Sequence, residues 1–356
     1  MQRALKKIYI VLSLLLLVFI LLFIMGCSGT DLTTSETAKS PVSKDQIVSE
    51  GLDDENKSAQ NDVPLPPDEA NGIYIADGLA YVADYKTGLL VFDISDKSNP
   101  VKISEIELSG DGMDVYVSGK FAYVACGYSG LQIIDISDIN NMRVASSFKQ
   151  EESSFDYAKR LQIKDNLIFL ADSVGGFKII DISIPDAPKL ISMFGSTYQG
   201  SIEDVVIDGN TAFIADYRAG FIVVDITDLK NPKLVSETRT AGMAKGVCKI
   251  EPGQEKTPYV LLADYKDIKI IDVSDTSKPI IAGNYDGLKN AVSITYSGSN
   301  AFIADYSLGI VQLDITEVAK PVLVKTFDSG KTNDICVYED YIYSAGEKGV
   351  IAFKIE

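Results

Sequence analysis

The chain has 356 residues, 46% of them hydrophobic, and its 50 acidic side chains against 33 basic ones give a formal charge of −17. It contains neither His nor Trp. That removes Ser-His-Asp and Cys-His triads, His-ligated zinc and any imidazole base, and so acidic a surface repels nucleic acid and anionic headgroups, so no nucleic-acid partner is expected.

Arg3, Lys6 and Lys7 precede an apolar run from Ile8 to Met25, and Gly26-Cys27 follows. A charged start, an apolar stretch and a small residue before a cleavage point are the parts of a secretory signal. The segment Phe23-Ile24-Met25-Gly26-Cys27 resembles the lipobox of bacterial lipoprotein signals, departing from it at Ile24, where Leu is preferred, and at Met25, where a small residue is. The resemblance implies a signal peptide over 1–26 and lipidation of Cys27, which then anchors the mature chain to a membrane. An uncleaved membrane helix stays open as the alternative, because the run of 18 residues is at the short edge of spanning length. Both readings put the remainder outside the cytoplasm, since Arg and Lys stay inside.

After the lipidated Cys, residues 28–70 read as a tether. They are rich in Ser, Thr, Asp, Glu and Asn, and Pro64, Pro66 and Pro67 stand near the end. A polar, charged segment of this kind buries too little surface to offset its ordering entropy, so disorder is expected over 27–70.

From residue 71 to 356 a single motif recurs. It reads AYVADYKTGLLVFDIS from Ala80, AYVACGYSGLQIIDIS from Ala122, IFLADSVGGFKIIDIS from Ile168, AFIADYRAGFIVVDIT from Ala212, LLADYKDIKIIDVS from Leu261 and AFIADYSLGIVQLDIT from Ala301. Its second Asp falls at 93, 135, 181, 225, 272 and 314, steps of 42, 46, 44, 47 and 42 residues, and a last copy starts at Tyr341 with Lys354 in place of that Asp. A β-rich repeat with a period near forty is the signature of a propeller blade. The second copy predicts four strands: one from Asp114 to Val117, a second over Phe121–Ala125, a third over Leu131–Ile136 and a fourth over Val144–Phe148. Second and third strands are apolar at nearly every position, as in sheets covered on both faces. Pro100, Pro188, Pro232, Pro279 and Pro321 precede the fourth strand, an edge where a missing donor is tolerated. First strands beginning near Ile73, Val115, Leu161, Val205, Val247, Val292 and Ile335 give an all-β, seven-bladed β-propeller. The seventh blade lacks a fourth strand of its own; either it keeps three strands or Val63 and Leu65 complete it. Cys126, Cys248 and Cys336 are each predicted within a strand as free thiols.

These copies resemble the LVIVD repeat, with Ala80–Ser95 and Pro100 matching its pattern nearly letter for letter. The resemblance covers residues 71–356 and implies a propeller of the kind found on bacterial and archaeal cell surfaces, with no particular chemistry attached.

The residues that repeat are expected to serve the blade. Asp84, Asp172, Asp216, Asp264 and Asp305 end the second strand and are expected to accept turn amides. Asp93 and its equivalents are expected to bond turn or neighbouring-blade amides. Asp93-Ile94-Ser95-Asp96 is too sparse for a Ca²⁺ loop, and no Walker loop or dinucleotide fingerprint occurs, so neither metal nor cofactor is expected. Positions that break the repeat carry more information. The segment before each first strand should share a face with the turns between second and third strands, near the axis. There the residues differ from blade to blade: Asn71, Asp114, Lys159 with Arg160, Glu203 with Asp204, Lys245, Asn290, and Asn333 with Asp334. We take Asp114, Lys159, Arg160, Glu203, Asp204, Lys245, Asn290, Asn333 and Asp334 as candidate ligand-binding residues, with Phe155, Tyr157 and Tyr198 as aromatic contacts. The functional expectation is a cell-surface lipoprotein that binds an envelope protein or polar ligand without catalysis. A carboxylate-based hydrolase or lyase using Arg160, and a structural surface-layer component, are the alternatives.

Overall fold

The structure, a computed structural model, describes residues 69–149, 156–195, 200–250 and 257–355. Cys27, the predicted tether up to residue 68, Val63, Leu65, Phe155 and Tyr198 lie outside the described residues.

Blade 1 contains β1 (Ala70–Ala76), β2 (Leu79–Asp84), β3 (Gly88–Asp93) and β4 (Val101–Glu107). Blade 2 contains β5 (Asp114–Ser118), β6 (Phe121–Ala125), β7 (Leu131–Asp135) and β8 (Arg143–Phe148). Blade 3 contains β9 (Asp156–Lys164), β10 (Leu167–Ser173), β11 (Phe177–Asp181) and β12 (Lys189–Phe194). Blade 4 contains β13 (Ile202–Asp208), β14 (Thr211–Asp216), β15 (Gly220–Asp225) and β16 (Lys233–Thr238). Blade 5 contains β17 (Ala244–Ile250), β18 (Tyr259–Asp264), β19 (Asp267–Asp272) and β20 (Ile280–Tyr285). Blade 6 contains β21 (Ala291–Ser297), β22 (Asn300–Asp305), β23 (Gly309–Asp314) and β24 (Val322–Phe327). Blade 7 contains β25 (Thr332–Tyr338), β26 (Tyr341–Gly346) and β27 (Gly349–Lys354). Within each blade consecutive strands pair antiparallel. Blades 3 and 4 are further linked by one bridge, Ser173 to Ile202, whose counterparts elsewhere are Gly127–Ala158 and Tyr265–Ala291.

The first strands pack in a ring, β1 on β5, β5 on β9, and so on to β25, which returns to β1. This makes the expected seven-bladed propeller. Among the described residues blade 7 has three strands. Its seam with blade 1 is held by Ile73 N–H donating to Asp334 Oδ2 at 3.0 Å, and by Lys97 bonding Glu339 and Asp340.

The unbroken apolar runs of the second and third strands are explained by where alternate residues go. Ala212, Ile214, Ile222 and Val224 pack toward Phe169 and Ile179 of blade 3. Phe213, Ala215, Phe221 and Val223 pack toward Val247, Val260 and Leu262 of blade 5. Both faces of the sheet are therefore dry, and each buried Phe or Ile contributes about 1.5–3 kcal/mol. The outer strands follow the named prolines directly and expose apolar side chains, Ile280 at 64% and Val322 at 61% among them. Four of the six outer strands, β4, β8, β12 and β16, are pinned to the next blade by a serine hydroxyl. Ser104 bonds Ile139 O, Ser146 bonds Pro185 O, Ser192 bonds Leu229 O and Ser236 bonds Thr276 O, at 2.5–2.6 Å.

The repeated aspartates do structural work. Asp84 Oδ1 accepts the amides of Lys86 and Thr87, Asp216 Oδ1 those of Arg218 and Ala219, and Asp305 Oδ1 those of Ser307 and Leu308. The other oxygens of Asp84 and Asp305 reach back to the entry of the first strand, to the amides of Glu69 and of Lys289 and Asn290. Asp264 is instead bonded by Thr240 Oγ1 and the Gly242 amide, and Asp172 by Lys178, so these two do not take the turn amides expected of them. The second aspartate of the first six copies accepts the amide two residues on, from Ser95 to Thr316; the Ser95 amide and hydroxyl hold the Asp93 carboxyl below the usual range, and the Thr316 hydroxyl and amide do so for Asp314. Cys126 lies in the turn after β6, one residue beyond the strand predicted for it, while Cys248 and Cys336 sit at equivalent places in β17 and β25; all three are free.

Candidate functional site

Six blades share an irregularity at the start of the first strand. In blade 1, Ala70 pairs with Asp84 and Gly72 with Ala83, so Asn71 has no partner in the ladder. The same bulge leaves Glu203, Lys245, Val292 and Asn333 unpaired in blades 4 to 7, and a wider irregularity in blade 3 leaves Lys159 out of the pairing with β10 together with Tyr157 and Ala158. In blade 2 the equivalent residue is Met113, just before β5. A bulge re-aims its side chain out of the sheet's own packing. Here the seven converge: Asn71, Met113, Lys159, Glu203, Lys245, Val292 and Asn333, with Arg160 below and Tyr217 from the turn after β14, line a cavity of about 310 Å³ at the mouth of the ring.

One residue further along each strand lies a second ring: Gly72, Asp114, Arg160, Asp204, Gly246, Ser293 and Asp334, each opposite the last alanine of its second strand. Its polar members tie blades together. Asp114 Oδ2 accepts Leu161 N–H at 2.9 Å, Asp204 Oδ2 accepts Val247 N–H at 2.9 Å, and Ser293 Oγ donates to Asp334 Oδ1 at 2.6 Å. Arg160 Nη1 lies 2.9 Å from Asp334 Oδ2 and 3.6 Å from Asp114 Oδ1, and Nη2 donates to Asn333 O at 3.2 Å. The two glycines are required by proximity: a Cβ on Gly72 would sit 2.7 Å from Asp114 Cα, and one on Gly246 3.0 Å from Ser293 Cα.

Three carboxylates around one guanidinium make a strained electrostatic balance. Burial pushes Asp114 up to about 7; Arg160 pulls the other way, and Asp334 and Asp204 add to the rise. Burial likewise pushes Asp204 up to about 6, again against Arg160. Burial opposes the charge on Arg160, but Asp334, Asp114 and Asp204 outweigh it and raise its pKa further.

In the mouth itself, Lys159 Nζ donates to both Glu203 oxygens at 2.7 and 2.6 Å, and Ser201 Oγ donates to the same carboxylate. Lys245 Nζ donates to Asn290 Oδ1 at 3.1 Å and lies 5.8 Å from the centre of the Tyr265 ring. Burial lowers its pKa, Lys159 adds to that, and Glu203 opposes it. Across the cavity Asn333 Nδ2 donates to Ala70 O and Asn71 Oδ1, and Asn71 Nδ2 donates to Gly112 O.

Lys159, Arg160, Glu203, Lys245 and Asn333, taken from the sequence as candidates, therefore line the cavity together. Asn290 stands behind Lys245 and orients it, and Asp114, Asp204 and Asp334 belong to the ring beneath. Tyr157 bonds Asp111 and the Met113 sulfur beside the mouth. Met113, Val292 and Tyr217 escaped the sequence reading because neither charge nor amide marks them; their position in the repeat, one before the axial residue or one after the turn aspartate, is the signal that finds them. Away from the mouth, Lys178 is fully buried between Asp156 and Asp172, and burial pushes Asp172 up to about 6 despite the bond from Lys178. Among the described residues no cluster of three or more acidic or Cys side chains has the arrangement of a metal site.

The LVIVD repeat profile matches residues 68–106, 109–150, 156–195, 199–240, 258–287, 289–329 and 329–351. The chain belongs to the LVIVD repeat family. Each match falls on one blade, the fifth leaving out β17. No curated protein matches this LVIVD-repeat chain. Solved structures similar to it include the computationally designed Ika8 protein, at 13% identity and a TM-score of 0.59 over 80% of this chain and 83% of that one. A chain of the mitotic checkpoint complex is similar at 12% identity and a TM-score of 0.65, over 87% of this chain and 98% of that one. At such identities the likeness concerns the fold of the LVIVD propeller and nothing of its chemistry.

Proposed function

We propose that this LVIVD propeller is a lipid-anchored, extracytoplasmic binding module that takes a polar ligand in its mouth and performs no chemistry on it. The observation that carries the reading is the contrast between a uniform frame and seven dissimilar bulge residues converging on one cavity. A position outside the ladder and only half-buried is freer to vary in chemistry, and convergence of polar groups in a concave site is what binding sites are made of. Against a hydrolase or lyase, the carboxylate in the cavity wall, Glu203, is neutralised by Lys159 and Ser201, and Arg160 is committed to Asp334, Asp114 and Asn333. Neither is poised as acid, base or anion clamp.

Two measurements test the proposal. Palmitate labelling of the intact chain should be abolished by Cys27→Ala, and labelling that survives the substitution removes the lipid anchor. Screening polar metabolites against the full chain in detergent by thermal shift should find a ligand whose effect disappears on substitution of the mouth residues. A ligand that binds but ignores those substitutions moves the site elsewhere. The apolar side chains exposed on the outer strands, such as Ile280, Val322 and Val324, favour a second reading, lateral packing of copies in a surface array. Ordered arrays in envelope preparations are its test.

A further inference from the structure

The polar groups of the mouth divide sharply into those already satisfied and those held open. Lys159 and Glu203 neutralise each other with two short bonds. Arg160 is engaged by carboxylates and a carbonyl. Lys245, in the cavity lining, donates only to a neutral amide and lies by an aromatic face, with Glu203 acting on it from beyond ion-pair distance, so two of its three N–H donors have no partner among the described residues. Tyr217 also lines the cavity; its backbone amide donates to Ser201 O, while its hydroxyl has no hydrogen-bond partner among the described residues. Across from them Asn333 spends its Nδ2 on Ala70 and Asn71, which leaves Oδ1 as a free acceptor. Met113 and Val292 fill the wall with apolar surface.

We infer that the mouth binds a small hydroxycarboxylate: the carboxylate on Lys245 and Tyr217, the hydroxyl donating to Asn333 Oδ1, and the carbon skeleton against Met113 and Val292. This rests on the reading of the mouth as a ligand site. A half-buried ammonium without a counter-ion is costly unless it finds one, and a ligand carboxylate supplies it with charge-assisted hydrogen bonds. The charge of the ligand is limited by what surrounds it. One cation is uncompensated in the wall, the Asp114–Asp204–Asp334 ring lies beneath, and residues 71–356 carry 40 acidic and 27 basic side chains. A monoanion is matched by Lys245, while each further negative charge meets repulsion with no partner. The volume of about 310 Å³ is at the small end of the roughly 300–1,000 Å³ found for small-molecule sites, which excludes oligosaccharides and peptides from full enclosure.

Calorimetric titration of the full chain in detergent with glycerate, lactate, alanine, inorganic phosphate and choline tests the assignment. Glycerate or lactate should bind, inorganic phosphate and choline should not, and Lys245→Met should weaken the carboxylate at least tenfold while the melting temperature stays within a degree or two of the parent. Tyr217→Phe, which keeps the ring, should weaken it less. Phosphate binding as tightly as lactate would make this a general anion site and overturn the carboxylate class. Binding of choline or alanine alone, lost on substitution at Lys245, Asn333 or Glu203, overturns the hydroxycarboxylate and leaves the mouth as the ligand site. Absence of binding by all five probes overturns the hydroxycarboxylate; the wider metabolite screen then decides the mouth independently.

Discussion

Two rings of seven residues lie one position apart on the same inner strands, and they obey opposite rules. The axial ring is bound to the frame: Asp114, Asp204 and Asp334 each accept a backbone N–H from the next blade, and Gly72 and Gly246 are small because a neighbour's backbone leaves no room. Most of the mouth ring is released from the ladder by a bulge, and all seven of its side chains are only half-buried, with Met113 and Val292 resting one side against the blade cores. The contrast teaches that in a repeat fold the position, and not the residue type, decides whether a charge is structural. Arg160 and Lys159 are adjacent cations with different work.

The largest expected effect is therefore on the axial side. Arg160→Met leaves three buried carboxylates without their counter-ion, and should cost about 3–5 kcal/mol. Equilibrium urea unfolding measures it. A loss comparable to that of an ordinary surface substitution would show that the axial ring is no more structural than the mouth.

Next in size is the dependence on pH. Asp114 and Asp204 have folded-state pKa values of about 7 and about 6, above the ordinary 3.8. The folded chain thus binds more protons than the unfolded one between about pH 4 and pH 7, so stability falls as pH rises through that window and levels off above it. For Asp114 this is on the order of 2–4 kcal/mol. Asp114→Asn keeps an acceptor for Leu161 N–H and removes the titration, so its unfolding free energy should vary less between pH 5 and pH 8 than that of the parent. An unchanged pH profile in that variant would place the titration elsewhere, with Asp172, also pushed up to about 6, the next group to substitute.

Gly72→Ala sharpens the steric half of the comparison. Its Cβ would meet backbone atoms of blade 2 at 2.7 Å, which must shift, at about 1–3 kcal/mol. Ser146→Ala, removing one of the hydroxyl pins between outer strand and neighbouring blade, should cost about 1 kcal/mol. Both are read from denaturation midpoints, and a neutral Gly72→Ala would mean that the inner strands can separate.

Much of the frame was legible in the sequence because each blade repeats it. Seven blades, four strands in each complete one, the prolines ahead of the outer strands and the turn-capping role of Asp84, Asp216 and Asp305 all follow from a motif whose meaning is checked several times over. The site was legible only as a neighbourhood. Lys159 with Arg160, Glu203 with Asp204 and Asn333 with Asp334 read as pairs of equal candidates, because nothing in a string of residues announces the bulge that sends the first of each pair to the mouth and the second to the axis. Charge drew attention to Asp114, whose carboxylate is spent on Leu161 and Val115 amides, and away from Met113, which lines the cavity. The reversal has a physical cause: a buried ladder of inner strands needs acceptors for amides that have lost their partners, and a carboxylate does that work as readily as it binds a ligand.

The smallest expected effect is the one that tests the comparison most directly. Val292→Thr and Met113→Gln change the polarity of the mouth wall at bulge or pre-strand positions that are only half-buried against the core, and each should cost no more than about 1 kcal/mol. Val to Thr in a packed core is far from neutral, because the hydroxyl is buried without a partner. Comparing Val292→Thr with Val311→Thr, two strands away in β23 of the same blade and fully covered, sets the same chemical change in the two environments. The core substitution should cost more than the mouth substitution by at least about 1 kcal/mol. Equal losses would mean that Val292 packs as a core residue, and the mouth would then owe its shape to folding alone, with no wall left free for a ligand to select.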